Sequence, residues 1–347
     1  MQPSRSSNPL ERGERVGTAL VGAWRDSPPS WSVSPGELAE LAPLLLRGGA
    51  DALVWRRLRD SALRSTPSCL PLHQAYRFHY LRDAVHEYEL RNILRRIRSS
   101  GVEPILAKGW AAARLYPEPG LRPYTDFDLY VPAGEHSAAL SSLMSWEHPA
   151  GPVDLHCGFR DLEDRSVQEL YARSRTIDLE GTRVRIFGPE DHLRLICLHL
   201  LRHGASRPLW LCDVGAALES RPADFDWDYF LRGDPVRSEY VTATLGLAHR
   251  LLGARIEETP AAGEAQNLPA WLVSTVLKEW GAGFRRREPM RSYVGRTSGV
   301  LRELSRHWPN PIEASARMGA PFNWMPRLPF QIANSLMRTA RFANRTS

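Results

Sequence analysis

Leu106-Ala107-Lys108-Gly109-Trp110, Arg122-Pro123-Tyr124-Thr125-Asp126-Phe127-Asp128-Leu129-Tyr130-Val131 and Val153-Asp154-Leu155-His156 are the stretches whose reading decides the fold. The middle one alternates polar and apolar residues and reads as a strand over 126–131. On a strand, residues i and i+2 share a face, so Asp126 and Asp128 project together while Phe127 points into a core. Two neighbouring carboxylates with no basic residue between them repel. A hard divalent cation offsets that repulsion, and Mg²⁺ (or Mn²⁺ in its place) commonly takes one or two carboxylates plus substrate phosphates. Asp154 on an adjacent strand would make three acids, enough to hold two metals roughly 3.5–4 Å apart for phosphoryl-type transfer.

Spacing alone decides nothing, because an Asp-x-Asp is most often a solvated strand edge or turn. The chain carries its own decoy in Asp224-Phe225-Asp226-Trp227-Asp228, which precedes an apolar helical segment and reads as cap and first-turn acids. The upstream pair differs in its surroundings. Lys108-Gly109 falls between a short strand, 104–107, and a short helix, 111–115. There, glycine lets backbone approach a phosphate and a helix start favours an anion. Lys108 and Lys278 are the only lysines in a chain whose basic residues are otherwise arginine. A compact ammonium aimed at a phosphate is one reason for that choice, and an exposed strand-end lysine is the alternative.

Working outward, helical periodicity covers 37–47, 52–63 and the long segment 72–99. In the last, Tyr76, Tyr80, Leu81, Val85, Tyr88, Ile93, Leu94 and Ile97 form the expected core face and Gly101 the stop. A helix is expected over 134–146, and strands over 153–157 and 184–187. Helices follow over 190–202, 209–218, 225–231, 238–252 and 271–280. These elements divide the chain into a flexible N-terminal lead (1–34), N-terminal helices (35–100), a sheet-bearing core (101–188), a helical domain (189–282) and a basic C-terminal segment (283–347). The order strand–helix–strand–helix–strand, set between helices, gives an α+β class: a small mixed sheet with flanking helices and a C-terminal helical domain.

The chain has 347 residues, 43% hydrophobic composition and a net charge of +6, which suit a soluble globular protein with more than one structured part. No apolar run approaches the ~20 residues that span a bilayer, so no transmembrane segment is expected. The first residues lack the apolar stretch of a secretory signal, and Cys69, Cys157, Cys197 and Cys212 are far apart in apolar surroundings. Buried free thiols and a cytoplasmic location are the expectation.

The run 106–131 resembles the signature of the uncharacterised nucleotidyltransferases within the DNA polymerase β-like superfamily: Lys-Gly after a strand, a Tyr-Pro loop, an Arg-Pro, then Asp-hydrophobic-Asp-Leu. The likeness continues through Val153-Asp154-Leu155-His156, Pro189-Glu190-Asp191-His192-Leu193, His199, His203 and Trp210-Leu211-Cys212-Asp213, and covers about 75–230. It implies a minimal polymerase β-like sheet and Mg²⁺-dependent transfer of a nucleotidyl group from a nucleoside triphosphate to a hydroxyl acceptor. It also implies that Asp126, Asp128 and Asp154 ligate metal, with Asp154 assisting deprotonation of the acceptor. Lys108, Gly109, Arg122 and His156 would then lie on the nucleotide side. Two features depart from the pattern. The interval between Asp128 and Asp154 is short, implying one edge strand fewer, and Lys-Gly-Trp stands where other members of the superfamily carry Gly-Ser.

His199 and His203 have a metal-chelating spacing without the intervening glutamate of His-Glu-x-x-His, and read first as helix histidines satisfying buried groups, with Asp213 as a partner. Arg285-Arg286-Arg287 and later arginines, interleaved with Trp308, Trp324 and Phe330, allow an RNA-binding tail as well as a solvated surface. The acceptor (small molecule, peptide, protein or RNA) is open. A second class of function also fits: a non-catalytic nucleotide-binding accessory protein that recruits a partner or RNA through its helices and basic tail.

Overall fold

Five short apolar-rich segments pair into one mixed sheet in the computed structural model, which describes residues 8–145, 153–284 and 308–343. The strands are β1 (Ile105–Ala107), β2 (Phe127–Val131), β3 (Val153–Cys157), β4 (Arg175–Leu179) and β5 (Thr182–Ile186), in the spatial order β3-β2-β1-β5-β4. Strand β1 runs antiparallel to β2 and parallel to β5, while β2 and β3 are parallel. The β4–β5 hairpin turns at Glu180 and Gly181, both with positive φ (48° and 80°), the geometry whose twist suits a two-residue hairpin. Strand β4 was not foreseen: Arg-Thr-Ile-Asp-Leu is polar because it lies at the sheet edge with most residues exposed. Among the described residues no strand intervenes between β2 and β3, in keeping with the short interval there.

Alternation assigns each sheet face its own core. Leu106, Phe127, Leu129, Val131 and Val184 pack on Leu90, Ile93, Leu94 and Ile97 of the 29-residue helix α4 (Leu70–Arg98), with Trp110 of α5 (Gly109–Ala113). Ile105, Ala107 and Tyr130 face the other way, onto Phe159, Leu162, Leu170, Phe187 and Leu195. The helix α6 (His136–Met144) lies in the connection from β2 toward β3. The core face of α4 is not the one its aromatic residues suggested. Tyr80, Leu81, Val85 and Tyr88 are exposed, and Leu72, Asp83, His86, Leu90, Ile93, Leu94 and Ile97 are buried.

The remaining helices form one layer. Those before the sheet, α1 (Pro9–Leu20), α2 (Pro35–Gly48) and α3 (Asp51–Leu58), share a single apolar core with α8 (Pro189–Arg202), α9 (Pro208–Glu219), α11 (Pro235–Leu252) and α13 (Ala270–Ala282). The flexible lead expected over 1–34 is corrected here. Asn8 caps α1, and Val16, Ala19 and Leu20 are buried. Gly13 and Gly281 let the backbones of α1 and α13 touch: a Cβ on Gly13 would fall on the Leu277 carbonyl, and one on Gly281 on the Pro9 carbonyl. The Ser, Pro and Gly content that suggested flexibility serves caps and close approach.

Cysteine 157 is exposed, against expectation, because it ends the edge strand β3; Cys69, Cys197 and Cys212 are buried free thiols. Among the described residues no helix is long and apolar enough to cross a membrane. The segment Leu328–Ala343 is helical and follows the helix Pro311–Met318, whereas Arg285-Arg286-Arg287 lie outside the described residues.

Candidate functional site

Parallel pairing of β2 with β3 sets Asp128 beside Asp154 and Tyr130 beside His156, and all four belong to the sheet face turned away from α4. Asp126 immediately precedes β2 on the same parity as Asp128, with Thr125 Oγ1 donating to its Oδ1 at 3.3 Å. On the other side, Ala107 of β1 pairs with Asp128, so the next residue, Lys108, enters the site at the strand's end. Its φ of 47° and ψ of −118° form a sharp turn that glycine adopts freely and lysine does not.

From that turn the Lys108 ammonium donates to Asp128 Oδ1 at 2.6 Å, with both residues buried. It lies 3.5 Å from His156 Nε2 and 5.4 Å from the centre of the Tyr130 ring, whose face attracts a cation. The His156 ring stacks on Tyr130 at 4.1 Å and 10°, which brings its Nε2 to 3.0 Å from Asp128 Oδ1 and 3.4 Å from Asp154 Oδ2. Asp154 is the open member, with 56% of its side chain exposed.

Burial pushes the Asp128 carboxyl upward, but hydrogen bonding from His156 and the charge and hydrogen bond of Lys108 outweigh it and bring it to about 2. Asp126 moves the other way. Burial raises it first, and repulsion from Asp128 and Asp154 adds to the rise. One carboxylate is thus neutralised by protein, and its neighbours carry the repulsion a bound cation would relieve. Asp128, Asp154 and His156 offer ligand atoms within 4.8 Å of one another, and their oxygen-rich set fits a hard divalent ion, with the imidazole also admitting Mn²⁺.

Gly109 and Arg122 were expected at the site as well. Gly109 begins the five-residue helix α5, but its need for glycine comes from the chain itself. A Cβ there would lie 3.1 Å from the Tyr124 Cβ and 3.2 Å from the Asp126 carbonyl oxygen. Arg122, expected at a phosphate, instead forms a buried ion pair with Asp213 of α9, helped by the Tyr116 hydroxyl, because an interior guanidinium needs a carboxylate. The hydrogen bonds of Asp213 thus go to Arg122 and Tyr116, while the α8 histidine whose charge it acts on is His192. His199 packs at a tilt against His203 and edge-on against Trp210, and burial, with Lys108 next, holds the His199 imidazole well below its usual range. In the decoy, Asp226 caps α10 (Trp227–Leu231) by accepting from the Tyr229 amide at 2.9 Å, the structural role its position indicated.

Sequence reasoning placed Lys108 toward phosphate and missed its partner Asp128. It also missed Tyr130, which the strand parity of Asp128 would have supplied. The helix α7 (Val167–Arg173), behind a Ser166–Glu169 capping box, was overlooked too, although Ser-x-x-Glu was visible.

Among solved structures, the chain is similar to an antigenic nucleotidyltransferase-like protein from Paracoccidioides brasiliensis. The identity is 14% and the TM-score 0.34, over 51% of this chain and 91% of that one. No curated protein matches it. Residues 35–148 and 144–253 match the family described as uncharacterised nucleotidyltransferase, well over half of the 347 residues. The chain belongs to that nucleotidyltransferase family.

Proposed function

We propose that the cluster formed by Lys108, Asp126, Asp128, Asp154 and His156 is the active site of a Mg²⁺-dependent nucleotidyltransferase. It would move a nucleoside monophosphate from a nucleoside triphosphate to a hydroxyl acceptor. The observation that carries this reading is the side-by-side register of Asp128 and Asp154, with Asp126 at the same strand end, in a chain of this family. Bound divalent metal supplies charge neutralisation of the triphosphate and of the oxygens developing charge. Asp126, Asp128 and Asp154 are the residues that would hold it.

The chain's own residues account for the rest. The half-exposed Asp154 faces solvent at the sheet edge, where an acceptor can approach, and its carboxylate takes the hydroxyl proton as the acceptor oxygen attacks the α-phosphorus. The bond from that phosphorus to the bridging oxygen breaks, and pyrophosphate leaves. His156, fixed by its stack on Tyr130, orients Asp128 and Asp154. Positioned charge is the main source of rate in such a site.

The second reading, a non-catalytic nucleotide-binding accessory protein, draws on the ammonium already bound to Asp128. The two are separated by incubating the full chain with each α-³²P-labelled nucleoside triphosphate, Mg²⁺ or Mn²⁺ and cell extract, beside Asp128→Asn and Asp126→Asn variants. Transfer of label by the unaltered chain alone is expected. Nucleotide binding without transfer would favour the accessory reading, and no nucleotide binding would remove the site assignment.

A further inference from the structure

Lys108 is the residue whose geometry the proposed reaction leaves unused. A non-glycine residue at φ 47° and ψ −118° carries backbone strain. Glycine would make the same turn without strain, so what the position gains from lysine is its side chain. That side chain does not extend to solvent, where a triphosphate would arrive. It is buried, lies on the Tyr130 ring and ends 2.6 Å from Asp128 Oδ1 and 3.5 Å from His156 Nε2. Two of the three groups that could together ligate an ion are therefore already in contact with a cation.

We infer that the Lys108 ammonium permanently occupies one of the two cation positions of this site, leaving its carboxylates a single divalent ion. This rests on the reading of Asp126, Asp128 and Asp154 as the metal-binding acids. Charge balance points the same way. In the nucleotide-free site, three carboxylates and one ammonium leave two negative charges, which one divalent ion neutralises. The more open carboxylates, Asp154 and the partly buried Asp126, would hold that one ion together with Asp128.

The test counts ions directly. Mn²⁺ binding to the full chain, without nucleotide, is measured by electron paramagnetic resonance of free Mn²⁺ and by calorimetry. It is repeated for Lys108→Gly, which keeps the turn, and Lys108→Met, which keeps the stem over Tyr130. The expected result is at most one ion for the unaltered chain and, in both variants, a second ion or affinity at least about tenfold tighter. Two ions in the unaltered chain would overturn the inference, and so would unchanged or weaker binding in Lys108→Gly with a native circular dichroism spectrum. Label transfer measured in parallel separates the two ideas. Transfer by the unaltered chain, with ion count and affinity unchanged in the variants, defeats the inference and keeps the enzyme; a gained ion or tighter binding in the variants, with no transfer by the unaltered chain, does the reverse.

Discussion

Arg122 and Asp213 lie 91 residues apart yet meet in a buried pair, with Arg122 Nε and Nη2 donating to the carboxylate at 2.7–3.2 Å. The Tyr116 hydroxyl donates to the same carboxylate at 2.8 Å. This pair fastens the loop leading into the Asp126–Asp128 strand to helix α9 of the helical layer. Removing either partner strands a buried charge, so Arg122→Ala or Asp213→Ala should lose about 3–5 kcal/mol in urea unfolding. Arg122→Met with Asp213→Leu should recover most of that loss. Single variants within about 1 kcal/mol of the parent would show that the loop is anchored by something else.

The two paired strand carboxylates should separate stability from metal binding. Asp154 is half-exposed, so Asp154→Asn should unfold within about 0.5 kcal/mol of the parent. Its Mn²⁺ affinity should nevertheless fall at least about tenfold. Asp128→Asn should lose both, because the Lys108 ammonium would then be buried without its carboxylate. Comparing calorimetric titrations with melts decides this, and a destabilised Asp154→Asn would count against the assignment.

The seam between α1 and α13 predicts sharply different outcomes for like substitutions. Gly13→Ala and Gly281→Ala each push a methyl group onto a backbone carbonyl of the facing helix and should cost at least about 2 kcal/mol. Gly36→Ala, also helical but with open space around it, should melt at or slightly above the parent temperature. Equal melting temperatures for all three would mean that the two helices do not touch.

Adjacent buried residues on α8 should impose opposing pH dependences. Burial raises Asp191 to about 6 and lowers His192 to about 4. Between pH 4 and 6 the folded chain holds a proton on Asp191 that the unfolded chain has released, so this group's contribution falls as pH rises. For His192 the unfolded chain holds the extra proton, so its contribution is complete above about pH 6.5 and is lost as pH falls toward 4. Asp191→Asn removes the first slope. Its stability should therefore climb with pH in that window more steeply than the parent's, by on the order of 1 kcal/mol per pH unit. Parallel stability–pH curves from chemical unfolding would refute the argument.

What the sequence revealed followed local rules. Strand parity placed Asp128 on one face and Phe127 on the other, and Val153–Cys157 was legible at both ends. The decoy acids were legible as caps because Pro222 and the apolar run after them mark a helix start. What stayed hidden depended on distant partners. Nothing near Arg122 announces Asp213, and nothing near Gly13 announces Leu277. The burial of α4 was misread because its aromatic residues lie on the exposed side, while Asp83 and His86 face inward. Asp83 accepts from the Gly120 amide, and His86 packs against Tyr124 and Phe127. Polar β4 escaped notice because an edge strand needs little apolar surface.

The seam joining α1 to α13 also governs how the protein is made. Gly13 meets Leu277, some 260 residues later, so this seam can close only after most of the helical layer has been translated. At roughly 5–20 residues per second, that wait is about 15–50 seconds. During it the glycine-bearing face of α1 that α13 covers in the finished molecule is open to whatever the nascent chain encounters. Assembly of this layer is thus a late, whole-chain event. Slow translation or truncation anywhere before α13 leaves that face of α1 uncovered, open to a chaperone or a protease.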